Sequence, residues 1–149
     1  MSTVNNEVIK KVSWRLSEPA ESARYYDSSK ETFVPIPAED YTQIVIDGEI
    51  TLKVPVSYDC DIMHTITITP NTANGITLLH LLQQIYCFYS NKPVSKEELL
   101  TYPDEGFTGD FKKETLKKQE AGHTVYYSDL MRDREYFDGI HDDVLLLIS

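Results

Sequence analysis

Cysteine is scarce in this chain: two in 149 residues, too few for a disulfide framework. Its length fits one domain, which buries a core without covalent staples, so Cys60 and Cys87 are optional to stability. Their apolar and aromatic neighbours (Ile62 and Met63; Tyr86 and Phe88) suit buried free thiols in a reducing compartment, with a disulfide between them as the minor alternative. Long hydrophobic runs are missing as well. The longest aliphatic stretch, Val144–Ile148, falls far short of the roughly 20 residues that a membrane span needs. The first residues lack the basic and then apolar pattern of a signal peptide. Together these absences point to a cytoplasmic protein that does not engage membranes.

Positive charge is in deficit, with 14 Lys and Arg against 24 Asp and Glu for a formal net charge of −10. Nonspecific nucleic-acid affinity comes from cations that displace counterions, so nucleic acid is a poor partner. Lys112, Lys113, Lys117 and Lys118 form one basic patch. Glu114 and Glu120 interrupt it at helical pair spacing, so the patch reads as a solvated helix face.

Catalytic and cofactor signatures are absent too: there is no Gly-x-Ser-x-Gly elbow, phosphate loop or Gly-x-Gly-x-x-Gly. Cys60 and His64 on a strand would stand about 13 Å apart. His80 and Cys87 on a helix would be about 10 Å apart. Neither pair shares a metal, and tetrahedral zinc wants about four close ligands. No cofactor is expected.

What the chain has is pattern. Val12, Trp14 and Leu16 alternate with polar residues and predict a short strand. Residues 17–31 turn polar and predict a loop or mobile arm, so 1–40 reads as an N-terminal arm. Pro35 and Pro37 lead into an expected strand over 41–46. At Asp47-Gly48, side-chain parity favours pairing Ile44 with Ile50 through a three-residue bulged loop, with Gly48 left-handed. The strand over 50–56 places Ile50, Leu52, Val54 and Val56 on one face, and Pro55 argues for an edge or bulge. Residues 64–69 alternate, sending Ile66 and Ile68 inward and the threonines out.

Thr77 is the expected N-cap of a helix whose Leu78, Leu81, Leu82, Ile85 and Tyr89 recur at helical spacing. Leu79, Tyr86 and Phe88 widen that stripe, so the helix must pack on a sheet. Ser95 with Glu98 spells a capping box for a short helix through Leu100. A loop over 101–110, a polar helix over 111–120 and a left-handed stop at Gly122 follow. Residues 124–127 read as a strand and 128–131 as a capped turn. Val144–Ile148 is apolar on both faces, which predicts a strand covered on both sides or set beside parallel neighbours. The expected fold class is α+β: a single domain over 41–149, with a mixed β-sheet packed on one long amphipathic helix and a helical insertion over 91–122.

The hairpin-then-helix order and the ending Tyr136-Phe137-Asp138-Gly139-Ile140, followed by Asp143-Val144-Leu145-Leu146-Leu147-Ile148, resemble the ubiquitin-like β-grasp arrangement. Residues 76–89 and 127–139 resemble an uncharacterised domain family of fungal and giant-virus proteins, which implies no activity. The conjugating role of ubiquitin does not carry over, since the chain ends in Leu146-Leu147-Ile148-Ser149 rather than Gly-Gly.

Two functional expectations follow. The first is a non-enzymatic protein-interaction or structural module, acting on a protein partner, by self-association, or within a larger assembly such as a virion. Tyrosines give contact area with a polar handle. Tyr25 and Tyr26 stand out because their polar surroundings offer no obvious core. Tyr41 and Gln43, on the expected strand over 41–46, and Thr65, Thr67 and Thr69 would form an exposed edge open to strand addition. The second expectation is a small hydrolase or divalent-metal enzyme on the C-terminal acidic surface. There Asp138, His141, Asp142 and Asp143 supply the oxygen and imidazole ligands that hard cations take.

Overall fold

A computed structural model describes residues 3–148; Met1, Ser2 and Ser149, inside the expected domain boundaries, lie outside the described residues. The chain opens with one helical turn, α1 (Asn6–Ile9), capped by the Asn5 side chain, which accepts from the Glu7 amide. β1 (Val12–Ser13) follows, and Val12, Trp14 and Leu16 are buried as their alternation predicts.

The polar stretch expected to be a loop is structured instead. A 3-10 turn over Ala20–Ser22 precedes β2 (Arg24–Asp27), which pairs antiparallel with β1 and with β3 (Thr32–Pro35). Ala20 and Ala23 are small enough to bury within a polar composition, and Asp27 ties the turn by accepting from the Ser29 amide and hydroxyl. Trp14 Nε1 donates to the Glu18 carbonyl at 2.9 Å, which fixes the start of this segment.

The expected strand over 41–46 is also corrected. α2 (Ala38–Tyr41) takes its first part, and β4 is confined to Ile44–Ile46. β4 does not pair with the strand that follows it, so there is no hairpin at Asp47-Gly48. That next strand, β5 (Ile50–Pro55), pairs with β6 (Met63–Ile68) in unbroken register from Ile50↔Ile68 to Pro55↔Met63. The turn between them holds Cys60 at φ 57. β4 pairs instead with β7 (Ile76–Thr77), and Val4 bridges Ile46 on its other side.

α3 (Leu78–Tyr86) opens as its sequence predicts, with the Thr77 hydroxyl accepting from the His80 amide at 3.2 Å. It loosens into a π-turn over Cys87–Asn91. Leu78, Leu81, Leu82, Ile85, Phe88 and Tyr89 are buried, whereas Cys60 and Cys87 are both exposed free thiols, against expectation. Cys60 sits in a surface turn, and Cys87 follows the helix on the side away from its stripe.

α4 (Lys96–Leu100) is capped by Ser95, and α5 spans Gly106–Glu120, starting within the segment expected to be loop. Its amides there are capped from outside the helix, since the Asp59 carboxylate accepts from Thr108 N at 3.1 Å and from its hydroxyl at 3.2 Å. No local pattern announces such a cap. α5 stops in a Schellman arrangement, with Gly122 N donating to Gln119 O and His123 N to Lys118 O at a Gly122 φ of 93°.

The expected strand over 124–127 is reduced to a single bridge between Tyr126 and Pro93, and the expected capped turn over 128–131 is α6 (Tyr127–Met131), entered through an Asp129 carboxylate that accepts from Tyr126 N at 2.8 Å. β8 (Tyr136–His141) and β9 (Val144–Ile148) close the chain. The main sheet runs β6-β5-β9-β8, with β5 and β9 parallel and the other pairs antiparallel. β9 is therefore interior, beside a parallel neighbour, though Leu146 and Ile148 on its outer face are exposed rather than covered.

The arm extends this sheet: Phe137 N donates to Trp14 O and Leu16 N to Glu135 O, both at 2.9 Å, along the free side of β8. Residues of the arm, of α3, of the insertion and of the inner sheet face share one hydrophobic core. The buried Tyr89 hydroxyl links helical turn to sheet by donating to Pro55 O at 2.5 Å. The protein is α+β and forms one compact domain. Among the described residues, no helix is long and apolar enough to cross a membrane.

Candidate functional site

The residues of the metal reading are turn formers. β8 and β9 are joined by a two-residue loop, with His141 paired to Val144 and with Asp142 at φ 50 and Asp143 at φ 60. Positive φ at both central positions is the signature of a type I′ hairpin turn, and Asp tolerates it better than most residues. Gly139, at φ 97, takes up a register shift between Phe137 and Ile140, and Asp138 beside it is exposed. His141 Nε2 lies 3.3 Å from Asp142 in full solvent. Among the described residues, no three His, Cys, Asp or Glu side chains are grouped to hold a metal.

The expected interaction residues are split between surfaces. Tyr25 faces inward and packs on the core, and burial followed by the nearby Asp40 carboxylate raises its phenol above the ordinary range. Tyr26 faces out, edge-to-face with Phe33 at 5.3 Å. Tyr41 and Gln43 do not sit on an open edge. Tyr41 OH approaches the carbonyls of Ala20, Glu21 and Ala23 at 3.3 to 3.4 Å, and Gln43 O accepts from Leu78 N at 3.0 Å. Thr65 and Thr67 do lie on an edge strand and are exposed, while Thr69 O is reached by His80 Nε2 at 3.2 Å.

The densest polar cluster was not legible in the sequence. Glu98 accepts from Tyr102 OH on Oε2 and from Tyr127 OH on Oε1, each at 2.7 Å, and His64 Nε2 stands 3.2 Å from Oε2. The carboxylate thus ties β6, α4 and α6 together. Burial, then the Glu98 contact, holds both phenols well above their usual range. Phe88 stacks on Tyr127 at 4.6 Å between centroids. The Ser95–Glu98 spacing points to a local capping box, but the acid turns to Tyr102, one helical turn on, and to His64 and Tyr127, which are distant in sequence. The hydroxyls are directed at the carboxylate and not into a cleft, so the cluster reads as a structural hub. Lys112, part of the expected solvated patch, is likewise buried, with Nζ on Tyr102 O at 2.7 Å and Asp104 at 2.8 Å.

The feature suited to recognition is the outer face of the sheet. β9 presents Leu146 and Ile148 at 39 % and 48 % exposure, and Tyr136, paired across from Ile148, is 38 % exposed. Arg15 lies over the Tyr136 ring at 5.4 Å and is ion-paired to Glu135. Tyr136, Arg15, Arg24 and Phe33 line one cleft of about 350 Å³, which joins this patch to the arm hairpin. A second cleft of about 540 Å³, beside β2, is lined by Lys10, Lys11, Tyr25 and Tyr26. The cations here contrast with the chain's net charge of −10.

No curated protein and no solved structure matches the chain. A family of unknown function, DUF6699, matches residues 12–144, from β1 through the arm hairpin, the Glu98 hub and the β8–β9 turn, and the chain belongs to that family.

Proposed function

We propose that the chain is a non-enzymatic protein-interaction module that serves as a component of a larger assembly and docks its partner on the outer face of the sheet. The observation that carries this reading is the juxtaposition of Tyr136, Leu146 and Ile148 on the uncovered side of strands whose other side is packed. Exposed apolar groups clustered on one face mark interaction surfaces, and Tyr and Arg are the residues that anchor such contacts. Arg15 and Arg24 border the patch, and Arg24 and Lys53 have no ion-pair partner among the described residues. The partner fitted to it is a protein segment with an apolar centre and an acidic rim.

The order hairpin, helix, then a last strand running parallel beside the hairpin's first strand supports reading β5, β6, α3, β8 and β9 as a β-grasp-like unit. In that reading the arm hairpin is an addition that widens the docking face. The test is selection of displayed peptides on the whole chain. Enriched sequences should be acidic and aliphatic, and Leu146→Glu with Ile148→Lys should abolish their binding while the circular dichroism spectrum is kept. Ligands that bind the double variant as well as the parent would overturn the proposal.

A further inference from the structure

The second open surface is the free edge of β6, and its hydrogen-bonding groups follow from the sheet register. Lys53 N donates to Asp143 O on the β9 side at 2.8 Å, so the main-chain groups of Lys53 point toward β9. Lys53 pairs with Thr65 across β5–β6, which makes that pair one without hydrogen bonds, and the same parity holds for Thr51 and Thr67. The N–H and C=O of Thr65 and Thr67 therefore point away from β5. Among the described residues no backbone group meets them.

Natural sheet edges are usually blunted by lysine, proline, a bulge or an inward charge. Between Met63 and Ile68, β6 has no Lys, Arg, Asp or Glu, no proline, and no break in register with β5. The edge is also self-complementary. Pairing two copies antiparallel about Ile66 sets Thr65 against Thr67 of the second copy, where each pair exchanges both main-chain hydrogen bonds. The same register brings the half-buried Ile66 against its own counterpart on the inner face. No acid opposes an acid along this register, although the molecule carries −10 overall. A charged foreign strand would find no countercharge on the edge itself.

We infer that the β6 edge pairs with the β6 edge of a second copy of this chain, continuing the sheet across a two-fold axis centred on Ile66. One strand pair buries little area, so the dimer is weak and forms at high protein concentration.

Sedimentation equilibrium of the full chain from micromolar to millimolar concentration should show reversible dimerisation. A monomer throughout would overturn the inference. Thr67→Pro removes one outward N–H and should abolish the dimer, whereas Thr67→Val keeps the main chain and should retain it. The register is tested independently of that variant's folding, in a Cys60→Ser, Cys87→Ser background. Opposed residues of a pair without hydrogen bonds stand within disulfide reach. Ile66→Cys should therefore oxidise to a covalent dimer, while Thr65→Cys, facing Thr67 of the other copy, should stay monomeric. Equal cross-linking at both positions, or none at Ile66→Cys, would overturn the arrangement. Leu146→Glu with Ile148→Lys should leave dimerisation intact, which separates this edge from the docking face.

Discussion

Replacing Glu98 by alanine probes how the helical insertion is held to the sheet. Tyr102 and Tyr127 are 4 % and 2 % exposed, and each gives its hydroxyl proton to this one carboxylate at 2.7 Å. A buried donor left without an acceptor costs about 1–3 kcal/mol. Two would cost about 2–6 kcal/mol, but the Glu98 side chain is 24 % exposed, so water enters the vacated space and satisfies part of the demand. The expected loss is roughly 2–3 kcal/mol, a large share of the about 5–15 kcal/mol that stabilises a domain.

The same substitution made with Tyr102→Phe and Tyr127→Phe leaves no orphaned hydroxyl and should cost under about 1 kcal/mol, giving a coupling of roughly 1 kcal/mol or more. Urea denaturation of the four proteins measures it, provided the slope m stays constant. If Glu98→Ala costs the same in both backgrounds, within about 0.5 kcal/mol, the carboxylate does not act through the two phenols and the hub is misread.

Three further outcomes are expected. Tyr25, Tyr89, Tyr102 and Tyr127 have phenol pKa values raised by burial from the ordinary 10.0, so the folded state keeps protons that the unfolded chain gives up. The contribution of these phenols to stability is then constant below pH 10 and falls above it, by up to about 1.4 kcal/mol per pH unit for each phenol. The share of the phenolate absorbance that belongs to these four of the ten tyrosines should appear only together with loss of structure; their ionisation in the folded state would refute this. Gly109→Ala should destabilise although alanine favours helix, because its Cβ would meet the Asp104 backbone at 2.3 Å. A gain in melting temperature would show that the backbone of α5 and the preceding loop can separate. Asp142→Asn with Asp143→Gly fits the type I′ turn better and should stabilise by about 0.5–1 kcal/mol; a loss of stability would show that the two carboxylates do more than form the turn.

Elements whose partners lie within a few residues were legible in the sequence. Thr77 caps α3, Ser95 caps α4 and Gly122 stops α5, because each of those bonds spans three to five residues. The β5 and β6 alternation and the α3 stripe were legible as well, since period fixes which side chains share a face. The pairing of β4 was not: side-chain parity allowed Ile44 to face Ile50, but nothing local tells a strand to skip its neighbour and pair across Ile76 and Thr77. The acids at 142 and 143 resemble ligands in the sequence because charge is visible there and a positive φ is not.

By itself, the sequence determined that this is a one-domain α+β protein with a greasy helix and an apolar final strand. It also set a net charge of −10, which follows from composition alone. Tertiary structure decided which side of that strand stayed bare, that Glu98 would gather two tyrosines and a histidine, and that the polar arm would add strands to the sheet. Those outcomes depend on pairings such as Trp14 with Phe137 and Glu98 with Tyr127, more than a hundred and nearly thirty residues apart. Their energy comes from exclusion of water by surfaces that meet only once the chain has folded.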